Sequence, residues 1–288
     1  DEACEGRHFQ EFRDINELPE DSGRRVLTTG GHYGYLKIAE GCDKHCTYCI
    51  IPSLRGRFRS VPQERLIAQA EHMAEQGVKE LILVAQETTM YGTDLYGKKT
   101  LHLLMKELCK IKGIRWIRVL YCYPEEIYDE LIQVMKEEKK ICHYLDLPIQ
   151  HASDRILKRM GRRTTRAQLT ATIEKLRKEI PDIVFRTTLI TGFPGETEED
   201  HQELMEFVDE MEFDRLGAFT YSPEEGTPAE TMEDQIPEEI KEERRDEIME
   251  LQQEISLEKG NDRIGQELLV MIEGKVSGES AYIARTYG

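Results

Sequence analysis

The sequence predicts an α/β fold of six strand-then-helix units, followed by the start of a small all-β module. Two observations carry this. Between residues 33 and 259, apolar strand-like runs alternate with helical runs six times, the pattern of parallel strands joined by right-handed crossovers. After Gly260 the pattern changes to two strand-like runs, Glu267–Glu273 and Ser280–Arg285, with a Gly-containing turn at 274–278 between them. Two strands do not stand alone, so they read as part of a β-module. Periodicity does not separate an open sheet from a partial barrel. In either, the polar residues that follow each strand lie at the C-terminal edge, where such folds place their sites.

The elements follow in order. Residues 1–31 are charged, contain Pro19, Gly23, Gly30 and Gly31, and lack an apolar period; they read as a linker or arm. The main unit spans 32–259 and the β-module 260–288. Tyr33–Ala39 is the first strand. Pro62 opens a helix to about Glu75, with Leu66, Ile67, Ala70, Met73 and Ala74 on one face, and Gly77 ends it. Glu80–Ala85 is nearly continuously apolar, as in a strand buried on both faces. A helix is expected from Leu101 to Cys109, a strand over Trp116–Tyr121 and a helix over Glu125–Glu138. Tyr144–Ile149 is the fourth strand, with helices at Ser153–Met160 and Thr165–Glu179. Val184–Ile190 and Leu216–Tyr221 are the last two strands, and the helix Glu196–Met211 between them carries acids in its first turn, favourable at the positive end of the dipole. The long charged helix Glu238–Lys259 reads as a solvated face.

Composition narrows the partners. The 288 residues are 39% hydrophobic and 33% charged, without a run of about 18 apolar residues that would span a membrane. The formal charge of −17 disfavours unaided binding to a phosphate backbone and suits a basic protein partner. The seven cysteines form no dispersed even framework, which fits a reducing cytoplasm and a metal site better than disulfides. Cys4, Cys109, Cys122 and Cys142 are scattered, and the last three read as inert half-buried thiols.

The other three cysteines sit together in Glu40-Gly41-Cys42-Asp43-Lys44-His45-Cys46-Thr47-Tyr48-Cys49, spaced C-x3-C-x2-C directly after the first strand. Three thiolates on one loop can grip one metal centre and leave a position for a non-cysteine ligand. A four-iron cluster is ordinarily held by four thiolates, so three leave one iron open. A structural zinc site is the alternative, although zinc sites generally come as four ligands in paired sets.

The spacing, the aromatic Tyr48 before the last cysteine, and the flanks Tyr35–Glu40 and Ile50-Ile51-Pro52-Ser53-Leu54-Arg55-Gly56 resemble the radical S-adenosylmethionine methylthiotransferases. Leu147–Asp154, Arg186–Glu196 and Tyr221–Ala229 agree, so the resemblance runs from about residue 32 to the end. It implies a partial (β/α)6 TIM-like barrel followed by a truncated TRAM module. It also implies a [4Fe–4S] cluster on Cys42, Cys46 and Cys49, with S-adenosylmethionine at the open iron and an electron donor to start its cleavage.

Within the family, one branch modifies tRNA adenosine and the other the β-carbon of an aspartate in the twelfth protein of the small ribosomal subunit. Val84–Gly92 with Asp94–Gly97, Val119–Pro124 and Pro223–Gly226 resemble the second branch; the tRNA enzymes usually read like Gly-Gln-Asn-Val and Ser-His-Pro at the first two places. The resemblance therefore implies a ribosomal-protein partner, without a nucleic-acid substrate or a membrane. A tRNA methylthiotransferase and a non-enzymatic zinc-stabilised ribosome-binding module are the rival readings. The family's N-terminal domain, with three cysteines for a second [4Fe–4S] cluster, is placed ahead of residue 1. These 288 residues are therefore expected to bind one cluster and cleave S-adenosylmethionine without inserting sulfur.

The resemblance also places site residues. Gln86, Glu87 and Thr88 fall near the methionine part of S-adenosylmethionine, and Tyr48 beside the adenine. Gln150 and His151 are candidates for ribose or substrate contact, against a plain loop role. Gly192 and Glu196 belong to a turn, Gly192-Phe193-Pro194-Gly195-Glu196, expected at the adenine or ribose. Arg186, in an otherwise apolar strand, is expected to be buried against a carboxylate, either the ligand's or a structural one. Arg55, Arg57 and Arg59 read mainly as solvent-facing or docking residues.

Overall fold

The structure, a computed structural model, describes residues 14–18 and 27–288. Cys4 and most of the arm lie outside the described residues. The first strand, β1 (Tyr33–Lys37), leads into a two-stranded antiparallel ribbon, β2 (Ala39–Glu40) with β3 (Arg59–Ser60), which brackets the cysteine loop and a short helix α1 (Ile51–Arg55). Then follow α2 (Gln63–Glu75), β4 (Glu80–Val84), α3 (Thr93–Tyr96), α4 (Leu101–Cys109), β5 (Trp116–Val119) and α5 (Asp129–Glu137). The second half is β6 (Ile141–Asp146), α6 (Asp154–Arg159), α7 (Arg166–Glu179), β7 (Val184–Thr191), α8 (Glu198–Met211), β8 (Arg215–Thr220) and α9 (Glu238–Asn261). A hairpin, β9 (Met271–Lys275) with β10 (Tyr282–Arg285), ends the chain.

The main sheet runs β1-β4-β5-β6-β7-β8, every neighbour parallel. Each strand sits beside the next main strand in sequence, with β1 and β8 at the edges, so the six units form a partial barrel. The faces of the sheet divide by period two. Leu36, Leu83, Leu145 and Phe185 are fully buried in the core beneath the helices. Alternate positions, including Tyr35, Ile82, Arg118, Tyr144, Arg186 and Arg215, line an open concavity of about 660 Å³.

Three expectations change. The fourth strand lies at Ile141–Asp146 instead of Tyr144–Ile149, because Pro148 has no N–H to give a sheet ladder. The third strand stops at Val119 and the third helix is broken: a 3-10 turn covers Pro124–Glu126 before α5 begins at Asp129. The last long helix is not simply a solvated face: Lys241, Arg244, Ile248, Gln252 and Ile255 are buried along one stripe. Lys241 Nζ donates to the Tyr221 carbonyl at 2.9 Å and Gln252 Nε2 to the Phe213 carbonyl at 2.8 Å, so polar side chains dock this helix. Among the described residues no helix is long and apolar enough to cross a membrane.

Helix starts are fixed by local chemistry. Thr197 and Asp200 form a reciprocal capping box at α8. Asp200 also accepts from Ser153 Oγ at 2.6 Å and pairs with Arg155, which ties α8 to the start of α6. Although burial opposes the charge, these donors hold the Asp200 carboxyl down at about 2, below its ordinary 3.8. Its stabilising effect is therefore complete above 3.8 and is lost as pH falls through about 2. Asp200→Asn should cost about 1–2 kcal/mol near neutral pH after allowance for solvent screening. The difference from the parent should shrink toward zero in urea titrations carried to pH values below about 2.

Candidate metal centre

The cysteine loop is clamped by backbone from three directions. Cys42 N donates to the Gly56 carbonyl at 3.2 Å, and Asp43 Oδ1 accepts from Phe58 N at 3.1 Å, tying the loop to the segment that joins α1 to β3. Thr47 N donates to the Met160 carbonyl at 3.0 Å and Thr47 Oγ1 to the Arg159 carbonyl at 2.9 Å, at the end of α6. Ala229 N donates back to the Thr47 carbonyl at 2.9 Å. Two glycines permit the close approach. Gly41 has φ +74 and a Cβ there would lie 2.1 Å from the Arg57 carbonyl oxygen; Gly161 has φ +72 and a Cβ there would lie 2.6 Å from the His45 carbonyl oxygen.

Cys42 and Cys46 are buried and help to line a cavity of about 430 Å³, together with Lys44, Glu87, Tyr123 and Arg162. Cys49 is half-buried beside them in sequence but outside that lining. Burial pushes the Cys42 thiol up to about 11 and raises Cys49. A cationic centre reverses this balance, because a coordinating thiol is deprotonated outright. Burial likewise pushes the Glu87 carboxyl up to about 7. Glu87 Oε1 accepts from Thr89 N at 3.0 Å, while its buried Oε2 has no partner. Among the described residues no group of three or more His, Cys, Asp or Glu side chains is set to hold a single metal ion. Two thiols and a free carboxylate oxygen on one cavity suit a larger centre with a ligand that carries its own cationic group. The donor set therefore fits a thiolate-held cluster with a small molecule beside it.

The floor under Cys46 is a polar network that the sequence did not disclose. Cys46 Sγ lies 3.4 Å from the Tyr123 hydroxyl. The buried Arg162 guanidinium stacks 4.2 Å from the Tyr123 ring and donates to Glu125 Oε2 at 3.2 Å. Lys44 pairs with Glu126, which also takes Lys99 at 2.7 Å. Tyr123 was within reach of sequence reasoning, since it follows the third strand. Arg162 was not, because Gly161-Arg162-Arg163 looks like any basic helix end.

The other predicted residues separate. Gln86 is half-buried, with a buried Oε1 that has no partner. Thr88 is spent on structure: its N donates to the Tyr121 carbonyl at 3.0 Å and its Oγ1 to the Leu120 carbonyl at 2.5 Å. Gln150 sits at φ +71 and bridges β7 through its backbone. His151 is fully buried, its Nδ1 accepting from Ser153 N at 3.0 Å. Glu196 is buried and takes Arg244 at 2.9 Å and Phe193 N at 3.1 Å. Gly192, at φ +67, makes room for the Lys241 stem. Gly192 and Glu196 thus pack α9 against the turn. Arg186, expected to be buried, is 46% exposed, with Asp146 Oδ2 3.7 Å from its Nη1; it projects into the concavity. Tyr48 packs edge-on against Phe193 at 6.4 Å, and Phe193 against Tyr221 at 5.3 Å. Arg57 is exposed, while Arg59 is half-buried and donates to the Arg55 carbonyl at 3.2 Å. Burial pushes Cys109 and Cys142 up to about 12 and Cys122 well above its ordinary value, as for inert thiols.

A six-stranded parallel partial barrel with this cysteine loop at its edge defines a class, and the sequence falls within it: the chain belongs to the radical SAM superfamily, whose family model matches residues 36–208. Among curated proteins it is similar to the ribosomal protein uS12 methylthiotransferase RimO of Lachnoclostridium phytofermentans, 62% identical over 287 residues, covering 100% of this chain and 65% of that protein. It is 57% identical over 267 residues to the RimO of Clostridium perfringens, covering 93% of this chain and 60% of the relative. The chain thus spans somewhat under two thirds of the length of these relatives. In fold it resembles the radical S-adenosylmethionine methyltransferase TsrM of Kitasatospora setae (TM-score 0.57, 16% identity, 69% of this chain and 38% of that one). It also resembles coproporphyrinogen III oxidase HemN of Escherichia coli (TM-score 0.51, 19% identity, 78% and 52%).

Arg162 supports the loop from beneath. Arg162→Leu strips the partner from Glu125 and the cation from the Tyr123 face, and should cost about 2–3 kcal/mol in denaturant unfolding. The exposed neighbour changed in the same way, Arg163→Leu, should stay within about 0.5 kcal/mol of the parent.

Proposed function

We propose that the protein carrying this chain is a radical S-adenosylmethionine methylthiotransferase that modifies an aspartate β-carbon of ribosomal protein uS12. The observation that carries the reading is 62% identity to a RimO along the whole chain, with the three cysteines of the matched segment on one clamped loop. Cys42, Cys46 and Cys49 would hold the resident [4Fe–4S] cluster, with S-adenosylmethionine beside it. Bound together, these two cofactors supply the one-electron chemistry that removes hydrogen from an unactivated carbon. A second cluster, for sulfur insertion, belongs to this reading but has no ligands assigned among the described residues.

The chain's own residues bind, orient and exclude water. Glu87 offers its unpartnered Oε2 to a cationic amine, and such a partner favours its charged form over the neutral form that burial favours. Gln86 adds a free acceptor at the same strand end. Tyr48, Phe193 and Tyr221 form an apolar aromatic wall with Ile190, suited to a flat ring such as adenine. The charge of −17 supports a basic ribosomal protein over tRNA as partner. In this reading the reaction takes place in the cytoplasm, beside an electron donor of unassigned identity.

The test is mass analysis of ribosomal proteins and tRNA from a strain lacking the full-length gene. Loss of one methylthio group from uS12, with tRNA modification intact, is expected, and Cys46→Ala in the restored gene should give no product. Loss from tRNA alone would replace the reading with the tRNA branch. Zinc without iron in protein prepared anaerobically would replace it with a non-enzymatic module.

A further inference from the structure

Each cysteine of the loop has a donor beside its sulfur, and at Cys46 that donor is a side chain. Against the burial that raises Cys42 and Cys49, the Lys44 amide donates to the first and the Ile51 amide to the second. At Cys46 the neighbour is the Tyr123 hydroxyl, 3.4 Å from Sγ. Either group could give the proton of that contact. Once Cys46 ligates a metal its own proton is gone, and burial keeps the Tyr123 hydroxyl protonated. The hydroxyl therefore donates and the sulfur accepts.

Two cations stand over the Tyr123 ring, Lys44 Nζ 5.0 Å and the Arg162 guanidinium 4.2 Å from its centroid. They draw charge from the ring and strengthen the phenol as a donor. Arg162 is itself nearly sealed, its side chain 1% exposed. Its Nη2 donates to Glu125 Oε2 at 3.2 Å, while Nε and Nη1 are buried without partners. A buried cation with donors unspent favours negative charge close by. Backbone contacts hold it against the loop: Thr47 N and Oγ1 donate to the Met160 and Arg159 carbonyls, and Arg162 N donates to the Leu157 carbonyl at 2.9 Å.

We infer that Tyr123, backed by Arg162, sets the reduction potential of the cluster that Cys42, Cys46 and Cys49 hold; this rests on the cluster reading above. An external one-electron carrier adds one electron, and with it one negative charge, to the cluster and its thiolates. Hydrogen bonds to the sulfurs are among the levers that set such potentials. The O–H on Cys46 and the guanidinium behind it are worth more to the more negative, reduced form, so they make reduction easier. Tyr123 is a positioning residue in this role: it acts through Cys46 and takes no part in bond breaking.

The test is a mediated redox titration, read by electron paramagnetic resonance, of anaerobically reconstituted full-length protein whose second cluster has been removed by changing its ligands. Tyr123→Phe, which deletes one oxygen, should lower the equilibrium constant for reduction about tenfold, or about 59 mV for a one-electron couple. Arg162→Gln should shift it in the same direction. Tyr91 is a fully buried ring whose hydroxyl donates to the Val61 carbonyl at 2.9 Å. Tyr91→Phe should therefore lower stability and leave the reduction equilibrium within about twofold of the parent. A Tyr123→Phe equilibrium within about twofold of the parent overturns the inference. So does an equal fall in Tyr91→Phe, or loss of the cluster from Tyr123→Phe, which would make the hydroxyl a requirement for assembly. The readings fail separately. Iron absent from the parent removes the cluster reading itself, whereas a bound cluster with an unshifted potential removes only the tuning role. A shifted potential without methylthio product keeps the tuning role and removes the function.

Discussion

The site depends on how one loop is held. Three thiols can meet a single metal centre only if their backbone is fixed, and here the fixing comes from amide–carbonyl hydrogen bonds to three separate parts of the chain. The end of α1 takes Cys42 through Gly56, the end of α6 takes Thr47, and the turn at Pro228–Thr231 reaches Thr47 from the other side through Ala229. These elements come from residues far apart in sequence, so the loop is in place only when the partial barrel is complete. Gly41 and Gly161 are the points where this backbone packing leaves no room for a Cβ.

Beneath the loop, low polarity and a few buried charges set the chemistry. Burial raises the Cys42 thiol and the Glu87 carboxyl, so each charged form gains from a cation placed beside it. Arg162, Glu125 and Tyr123 brace the floor. The same arrangement that disfavours bare charges makes each one worth more to a ligand of opposite sign. The concavity on the inner face of the sheet works differently: Arg118 and Arg285 are held by Glu80 and Glu273, while Arg186 and Arg215 keep their tips in solvent.

Much of this was legible in the sequence. The alternation of runs gave six parallel strands in order, and the spacing of Cys42, Cys46 and Cys49 marked the loop that the barrel clamps. The errors have physical causes. Pro148 ended the fourth strand early, and Pro124 opened a 3-10 turn where helix period suggested a longer helix. The buried stripe of α9 was hidden because Lys241, Arg244 and Gln252 dock it through polar tips, and polarity alone reads as exposure. Arg186 was expected to be buried because its strand is apolar, yet the open concavity leaves its tip in solvent. The place of Arg162 under Tyr123 depends on tertiary packing, which no local pattern carries. Of the residues carried over by resemblance, Glu87 reaches the cysteine cavity, while Thr88, Gly192 and Glu196 are engaged in holding the fold.

The central claim is that this loop holds a cluster by three thiolates and leaves one metal position for a small molecule. Electron paramagnetic resonance of the anaerobically reconstituted, reduced full-length protein tests it directly, with the second cluster's ligands changed so that one signal remains. The account predicts a reduced-cluster signal that shifts when S-adenosylmethionine is added and disappears in Cys46→Ala. A signal indifferent to S-adenosylmethionine, or one that survives the loss of Cys46, would contradict it.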